Sequence, residues 1–301
     1  MSDFAKGILL MVVAMFGLAL SDMFVKLASA SLPPAQLILM VGGGTSVVYA
    51  VVAIALRMPL FSPLFFKPLI LLRTCAEAMV GVAGMTALSL VPLSTVTAIT
   101  QCTPLLVTLG AAVFLKEHVG WRRWLAIGVG MIAMLMIVRP GGQGFEAPVL
   151  LAVVAAVGLA VRDLATRAAP QHIPSLVLAA WGFSGAVVAG LVLLPFGPPP
   201  QMPTGSVWAY VVCGVAVTAL GYYALTASVR IGDISVVAPF RYARLVFAMI
   251  IAVVVLHERP DAWTIAGSVL IVASGLYTFL RERKVARAMV NVAGAGPVGR
   301  A

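Results

Sequence analysis

The segment GLALSDMFVK (residues 17–26) recurs 141 positions later as GLAVRDLATR (residues 158–167). Both copies begin with Gly-Leu-Ala, place an aspartate at the sixth position and carry a basic residue four positions after it. In the first copy these charges follow a run, residues 7–20, that contains no charged side chain. The repetition therefore indicates two related halves, each with charged groups set within an apolar segment.

The composition identifies the class of protein. Of 301 residues, 62% are hydrophobic and 10% are charged, against roughly 45–50% and about 25% in soluble domains. Such a chain is expected to be integral to a membrane, with the lipid bilayer as a partner. The formal charge of +10 comes largely from short gaps between apolar runs and from the tail RERKVAR at residues 281–287. This pattern lacks the aromatic-interleaved basic patch of nucleic-acid-binding proteins, so we expect no nucleic-acid partner.

Apolar runs of about 20 residues, the length needed to cross a bilayer, occur ten times. We therefore predict an all-α integral membrane protein with ten transmembrane helices. A β-barrel is disfavoured because the runs are continuous rather than alternating. Lys and Arg concentrate in alternate gaps, which predicts that both termini are cytoplasmic. The predicted helices span residues 7–29, 35–56, 69–91, 95–115, 122–138, 148–168, 175–196, 207–228, 235–256 and 262–280.

The internal match divides the chain into predicted units. Residues 1–147 form a first five-helix repeat, residues 148–280 form a second, and residues 281–301 form a basic cytoplasmic tail. Because five is odd, the second repeat enters the membrane from the opposite side. Inverted repeats are typical of secondary transporters, whose halves exchange conformations around a site near the bilayer midplane. Channels also arise from inverted repeats, so the pattern favours transport without fixing its type.

Two stretches carry a family resemblance. ALSLVPLSTVTAITQCTPLLVTLGAAVFLKEHVGWRRWLAIGVG (residues 87–130) combines a proline-containing helix, a Leu-x-Glu turn and a Gly-rich helix, and APFRYARLVFAMIIAVVVLHERPDAWTIAGS (residues 238–268) repeats the pattern. Together with the ten-helix arrangement, they resemble the EamA family of the drug/metabolite transporter superfamily. The resemblance implies a carrier of small metabolites in the bacterial inner membrane. APFRYARLV followed by HERPD resembles the subgroup containing riboflavin and S-adenosylmethionine transporters.

Charged residues within the predicted membrane segments are candidates for substrate binding or gating, because burying a charge there is costly. Asp22 and Asp163 are the repeated acids of the opening segments. The basic residue one turn after each, Lys26 or Arg167, could neutralise it and act as an interfacial anchor. Arg73 and Glu77 form a third pair with i,i+4 spacing in the third helix. Gating and structural anchoring both remain open for these groups.

The ninth helix contains the densest constellation. Arg241 and Arg244 lie one turn apart beside Tyr242, with no acidic residue in the same helix. A guanidinium can hold carboxylate or carbonyl oxygens in a fork, or stack on an aromatic ring. The alternative is that both arginines pair with Asp22, Asp163 or Glu77 across the bundle. Gln101 precedes Pro104 in the fourth helix, where the proline frees a backbone carbonyl, so Gln101 is a further candidate for a cavity wall.

Other functional classes find little support in the chain. No phosphate-binding loop, metal-ligand spacing or nucleophile with an adjacent base occurs, so we expect no enzyme activity, no cofactor and no metal. Glu117 and Glu258, which the repeat relates, are expected to be solvated turn residues. The predicted function is transport of a small metabolite by alternating access, with riboflavin uptake as the first hypothesis. S-adenosylmethionine and amino-acid or drug transport, inward or outward, are the alternatives, and the oligomeric state is left open.

Overall fold

The computed structural model describes residues 3–114, 116, 120–140, 145–170, 172–231 and 237–294, with side chains left undescribed at 3–4, 229–231, 238, 279 and 281–294. Every regular element within these ranges is helical. Helices suit these apolar runs because lipid offers no hydrogen-bond partners and a helix pairs its backbone N–H and C=O groups internally. The all-α prediction therefore holds for the described residues.

The helices follow one another with short connections. They are α1 (Asp3–Ser29), α2 (Pro34–Leu37), α3 (Gly43–Ala55), α4 (Pro68–Leu90), α5 (Leu93–Thr100), α6 (Thr103–Phe114), α7 (Trp121–Val138), α8 (Val149–Ala168), α9 (Ser175–Leu193), α10 (Gly205–Ile231), α11 (Ala243–Val254) and α12 (Ala262–Gly294). A π turn at Ile38–Gly42 joins α2 to α3, and 3₁₀ turns occupy Pro63–Phe66, Leu194–Phe196 and Ala238–Tyr242. Two residues separate α5 from α6, and the last 3₁₀ turn leads directly into α11.

Within the described residues, eight helical segments are long and apolar enough to cross a membrane, judged by length and composition. They are 5–29, 34–55, 68–90, 93–114, 121–138, 149–168, 175–196 and 205–228. Residues 262–278 form a shorter apolar helix. The predicted ninth span, 235–256, is divided into the 3₁₀ turn and α11 where the structure describes it. Ten membrane crossings therefore remain a prediction, and eight candidate spans are the observation.

Two helix pairs are related by the 141-residue interval. α1 packs along α10, and α8 packs along α4. Adding 141 to residue numbers in α1 reaches α8, and adding 141 to those in α4 reaches α10. A Cβ atom built on Gly17 would lie 3.4 Å from the Cα of Gly221, so the first pair approaches closely through glycine. The same interval thus relates two contacts between helices as well as two sequences.

The loops provide a second correspondence and a correction. Lys116 and His257, 141 residues apart, both have positive φ angles, 54° and 53°. Next to His257, the carboxylate of Glu258 accepts hydrogen bonds from the backbone N–H of Leu93 at 2.6 Å and of Ser94 at 3.0 Å. The expectation that Glu258 is a solvated turn residue is therefore wrong, because it caps the N-terminus of α5. Glu117 lies outside the described residues.

The core lies between helices of both halves. Its largest buried cluster includes Leu37, Leu93, Ile99, Ala248 and Ile271. Many large apolar side chains instead face outward, among them Val51, Ile54, Val188, Val212 and Leu220. An exposed apolar surface of this extent is unfavourable in water but suits a lipid environment. The polar residues are correspondingly drawn to the centre of the bundle.

Candidate functional site

A cavity of about 210 Å³ is lined by residues of α1, α4, α5, α6, α8, α9, α10 and the start of α11. Much of its wall is apolar, with Leu88, Val96, Phe183 and Leu225 as examples. Polar groups enter it from both halves of the chain. The polar lining residues are Ser21, Asp22, Glu77, Thr97, Thr100, Gln101 and Thr103 from the first half, and Arg162, Thr218, Tyr222, Arg241 and Arg244 from the second.

Pro104 explains the interruption between α5 and α6. Proline has no backbone N–H, so the carbonyl of Thr100 loses its helical donor. The hydroxyl of Thr103 donates to that carbonyl at 2.6 Å. The side-chain amide of Gln101 donates across the cavity wall to the backbone carbonyl of Arg241 at 2.9 Å. Gln101 thus joins the broken helix of the first half to the 3₁₀ turn of the second.

Asp22 pairs with an arginine far along the chain. Its carboxylate accepts from Nη2 of Arg244 at 2.7 Å, and both side chains are largely enclosed. Lys26, one helical turn after Asp22, donates instead to the backbone carbonyl of Val91 at 2.7 Å. The acid is therefore held by α11 rather than by the base on its own helix. This contact connects the first half of the chain to the second.

Asp163 holds two guanidinium groups. Arg162 approaches one carboxylate oxygen through Nη2 at 2.7 Å and Nε at 3.0 Å. Arg241 approaches the other oxygen through Nη2 at 3.3 Å. The side chain of Arg241 remains 34% exposed, whereas that of Arg162 is 12% exposed. Arg241 is therefore the less enclosed of the two and presents part of its guanidinium to the cavity.

Glu77 links Arg73 to the same group of charges. Its carboxylate lies 3.3 Å from Nη1 of Arg162 and 3.8 Å from Nη2 of Arg73. Arg73 is 1% exposed and does not line the cavity. It donates to the Thr166 hydroxyl at 2.9 Å, the Leu178 carbonyl at 2.6 Å and the Tyr222 hydroxyl at 3.2 Å. Arg73 thus supports Glu77 and Tyr222 from behind the cavity wall.

Tyr242 lies away from the cavity. It is 4% exposed, and its hydroxyl reaches the surface of α12 at Gly275, where an added Cβ would collide with it. No hydrogen-bond partner for this hydroxyl occurs among the described residues. The structure does not bring Tyr242 to the cavity wall, because the 3₁₀ turn directs Arg241 and Tyr242 to different sides.

The structure places most of the predicted site residues at the cavity. Asp22, Glu77, Gln101, Arg241 and Arg244 line it. Asp163 and Arg73 do not line the cavity, but the ion pairs and hydrogen bonds already given join them to side chains that do. Sequence reasoning did not single out Arg162, Thr97 or Thr100. The repeat could have identified Arg162, since it follows Ser21 by the same 141 residues and differs from it in charge.

A helical bundle that encloses a polar cavity between two related halves is typical of membrane transporters. The sequence profile of the EamA-like transporter family matches residues 5–139 and again residues 147–280. The chain belongs to this family, and it is a multi-pass membrane protein of the transporter class. The resemblance found in the sequence is thereby confirmed.

Relatives with assigned substrates differ in cargo. The chain is 28% identical to the S-adenosylmethionine uptake transporter of Rickettsia felis over 207 residues, 67% of this chain and 69% of that protein. It is 30% identical to the riboflavin transporter of Vibrio cholerae over 203 residues, 65% of each chain. It is 29% identical to the pseudopaline exporter of Pseudomonas aeruginosa over 284 residues, 89% of this chain and 94% of that protein. These similarities support transport while leaving the cargo open.

A solved structure shares the fold. A crystal structure superposes with a TM-score of 0.64 at 20% sequence identity, covering 94% of this chain and 99% of the other. At this identity the likeness concerns the architecture alone. It shows that the helical arrangement described above occurs in a protein determined by crystallography.

Proposed function

We propose that the protein is a secondary transporter that moves a small metabolite across the bacterial inner membrane by alternating access. Its halves are two inverted five-helix repeats, and both termini lie in the cytoplasm. The observation that carries the proposal is a cavity into which both family-profile segments direct charged and polar groups. Ion pairs between Asp22 and Arg244 and between Glu77 and Arg162 cross from one segment to the other. A relative movement of the halves would therefore rearrange the cavity wall.

Riboflavin is the first cargo to test. Arg241 and Arg244 offer N–H donors to a ring system rich in carbonyl and nitrogen acceptors, and Phe183 and Tyr222 add aromatic surface to the wall. The similarity to a riboflavin transporter supports the same choice. S-adenosylmethionine is the second candidate, since its sulfonium and ammonium groups suit the carboxylates of Asp22 and Glu77. Amino acids and drugs are further possibilities within the superfamily.

A counterflow experiment tests the proposal without assuming a direction. Purified protein is reconstituted into liposomes loaded with unlabelled riboflavin or S-adenosylmethionine, and entry of the labelled compound is followed. A carrier exchanges the two pools and transiently concentrates label inside, whereas a channel only equilibrates it. We expect such an overshoot for one of the two compounds. Its absence for both would remove these cargoes, and equilibration without an overshoot would contradict a carrier.

Matched variants assign the cavity residues. Arg241→Ala should abolish riboflavin counterflow because it removes the most exposed guanidinium of the wall, while Arg167→Ala removes a base outside the cavity and should retain it. If S-adenosylmethionine is the cargo, its transport should instead be lost in the Asp22→Asn and Glu77→Gln variants. If Asp22→Asn and Asp163→Asn proteins insert normally and transport at full rate, both acids are anchors rather than gates.

A further inference from the structure

The charges around the cavity do not balance. Four guanidinium groups, those of Arg73, Arg162, Arg241 and Arg244, are joined to only three carboxylates. The carboxylates belong to Asp22, Glu77 and Asp163. Each of them is already engaged by at least one arginine. The described residues of this group therefore carry one positive charge in excess, and an uncompensated charge within a membrane protein is unfavourable.

The excess charge lies toward the cavity rather than behind it. Asp163 is bound through two nitrogens by Arg162, and its remaining oxygen is 3.3 Å from Arg241. Arg73 is enclosed and bonded to three oxygen acceptors. Arg241 is the most exposed arginine of the group, at 34%. Its guanidinium consequently has N–H donors left for a ligand.

Two buried polar atoms of other cavity-lining residues also lack partners among the described residues. The Thr97 hydroxyl belongs to a residue that is 2% exposed yet contributes to the cavity wall. The Nε atom of Arg244 is buried in the same way, although Nη2 of that side chain binds Asp22. Buried polar atoms are almost always hydrogen-bonded in native proteins. An acceptor-bearing ligand in the cavity would satisfy both.

We infer that the loaded cavity holds one anionic group, bound by Arg241 and Arg244 with Thr97 as an additional donor. This inference rests on the proposed function, since it concerns the content of the transport cavity. A carboxylate supplies one negative charge and several acceptor sites, which matches the excess charge and the free donors. The anion arrives either as part of an acidic cargo or as a separate inorganic ion beside a neutral cargo.

The test measures binding to the purified full chain in detergent. The buffer is HEPES titrated with N-methyl-D-glucamine, so that it contains no inorganic anion. The melting temperature is recorded with 3-phenylpropanoate, with its neutral analogue 3-phenylpropanamide, and with chloride. A ligand that binds only the native state raises this temperature. We expect a rise of a few degrees with the carboxylate and none with the amide.

Variants locate the binding. Arg241→Gln should lose the carboxylate-induced rise, while Arg241→Lys keeps the charge and should retain much of it. Thr97→Val is nearly isosteric and should weaken carboxylate binding by roughly threefold to tenfold, the effect of one hydrogen bond. Arg167→Gln, which removes a base outside the cavity, is the matched control and should behave like the parent. Persistence of the rise in Arg241→Gln would overturn the assignment.

The chloride arm separates the two sources. If chloride by itself also raises the melting temperature, the site accepts a separate inorganic anion. If only the carboxylate does, the anion belongs to the cargo. Equal rises in melting temperature with the carboxylate and the amide would overturn the inference. The absence of a rise both with the carboxylate and with chloride would overturn it as well. Because these measurements involve no transport, failure of riboflavin counterflow leaves them interpretable, and the two proposals can fail separately.

Discussion

Ser21 and Thr218 share a hydrogen bond of 2.5 Å where α1 meets α10. The residues 141 positions away from them, Arg162 and Glu77, form an ion pair of 3.3 Å where α8 meets α4. The two contacts thus occupy corresponding places in the two helix pairs. One is built from two hydroxyls and the other from opposite charges. The backbone arrangement has been kept while the chemistry of the contact has diverged.

The cavity wall shows the same divergence. Thr100 and Thr103 lie at the interruption between α5 and α6, and 141 residues later the chain carries Arg241 and Arg244. All four residues line the cavity. The first half therefore contributes hydroxyls at positions where the second half contributes guanidinium groups. At these positions the donors of the first half are neutral and those of the second half are cationic.

The largest expected effect concerns the charged contact. Arg162→Ser or Glu77→Thr alone should lower the free energy of unfolding by about 3 kcal/mol, because each leaves a buried charge with fewer partners. The double variant recreates the residue types of the neutral contact between Ser21 and Thr218. It should therefore lose at least about 1 kcal/mol less than the sum of the single variants. Denaturation of the detergent-solubilised proteins measures all three values.

That prediction has a clear negative outcome. If the single effects add to within about 0.5 kcal/mol, Arg162 and Glu77 are independent. The correspondence with Ser21 and Thr218 would then be one of position alone.

A second comparison concerns the glycines of the two helix pairs. A Cβ on Gly158 would lie 2.9 Å from both Met79 and Val80, whereas one on Gly17 would have its nearest neighbour at 3.4 Å. Gly158→Ala should therefore destabilise the protein by about 1–2 kcal/mol, the range for modest overpacking. Gly17→Ala should be neutral or slightly stabilising, since alanine favours a helix. Melting temperatures of the two variants, measured side by side, decide whether one pair is packed more tightly. Equal effects would contradict a difference in packing between the two pairs.

The smallest expected effect concerns the neutral contact. Ser21→Ala removes the hydrogen bond to Thr218, but the Thr218 hydroxyl keeps its bond to the carbonyl of Gly214 at 2.6 Å. The loss should be about 1 kcal/mol or less. Ser184→Ala is the control, because that hydroxyl bonds within its own helix to Trp181. A loss for Ser21→Ala much larger than this would show that the neutral contact matters as much as the charged one.

Apolar runs and turn residues predicted the helices well, since hydrophobicity and proline act locally. The predicted helix at residues 122–138 corresponds to α7 at Trp121–Val138, for example. The ninth helix was predicted less accurately, because Pro239 and its neighbours form a 3₁₀ turn before α11. The charged candidates were found because charges are rare in apolar segments. The inverted arrangement of the two halves and the roles of the charged residues in transport remain predictions.

The individual ion pairs could not be assigned from the sequence, which allowed Arg241 and Arg244 to pair with any of three acids on other helices. Asp22 lies one turn before Lys26, yet it binds Arg244, 222 residues away. Spacing along the sequence indicates only contacts between residues of the same helix. The contact between Asp22 and Arg244 arises because α1 packs against α11. Glu258 was misjudged for the same reason. The backbone N–H groups that donate to its carboxylate, those of Leu93 and Ser94, belong to the other half of the chain.

The position of both family-profile segments on one polypeptide has an evolutionary consequence. In an assembly of two identical five-helix subunits, any codon change at a threonine such as Thr100 would appear twice, once in each subunit. Here position 241 carries arginine while position 100 keeps threonine. A single chain can mutate one face of its cavity and leave the opposite face untouched. Two segments encoded in one chain can therefore change independently at corresponding positions.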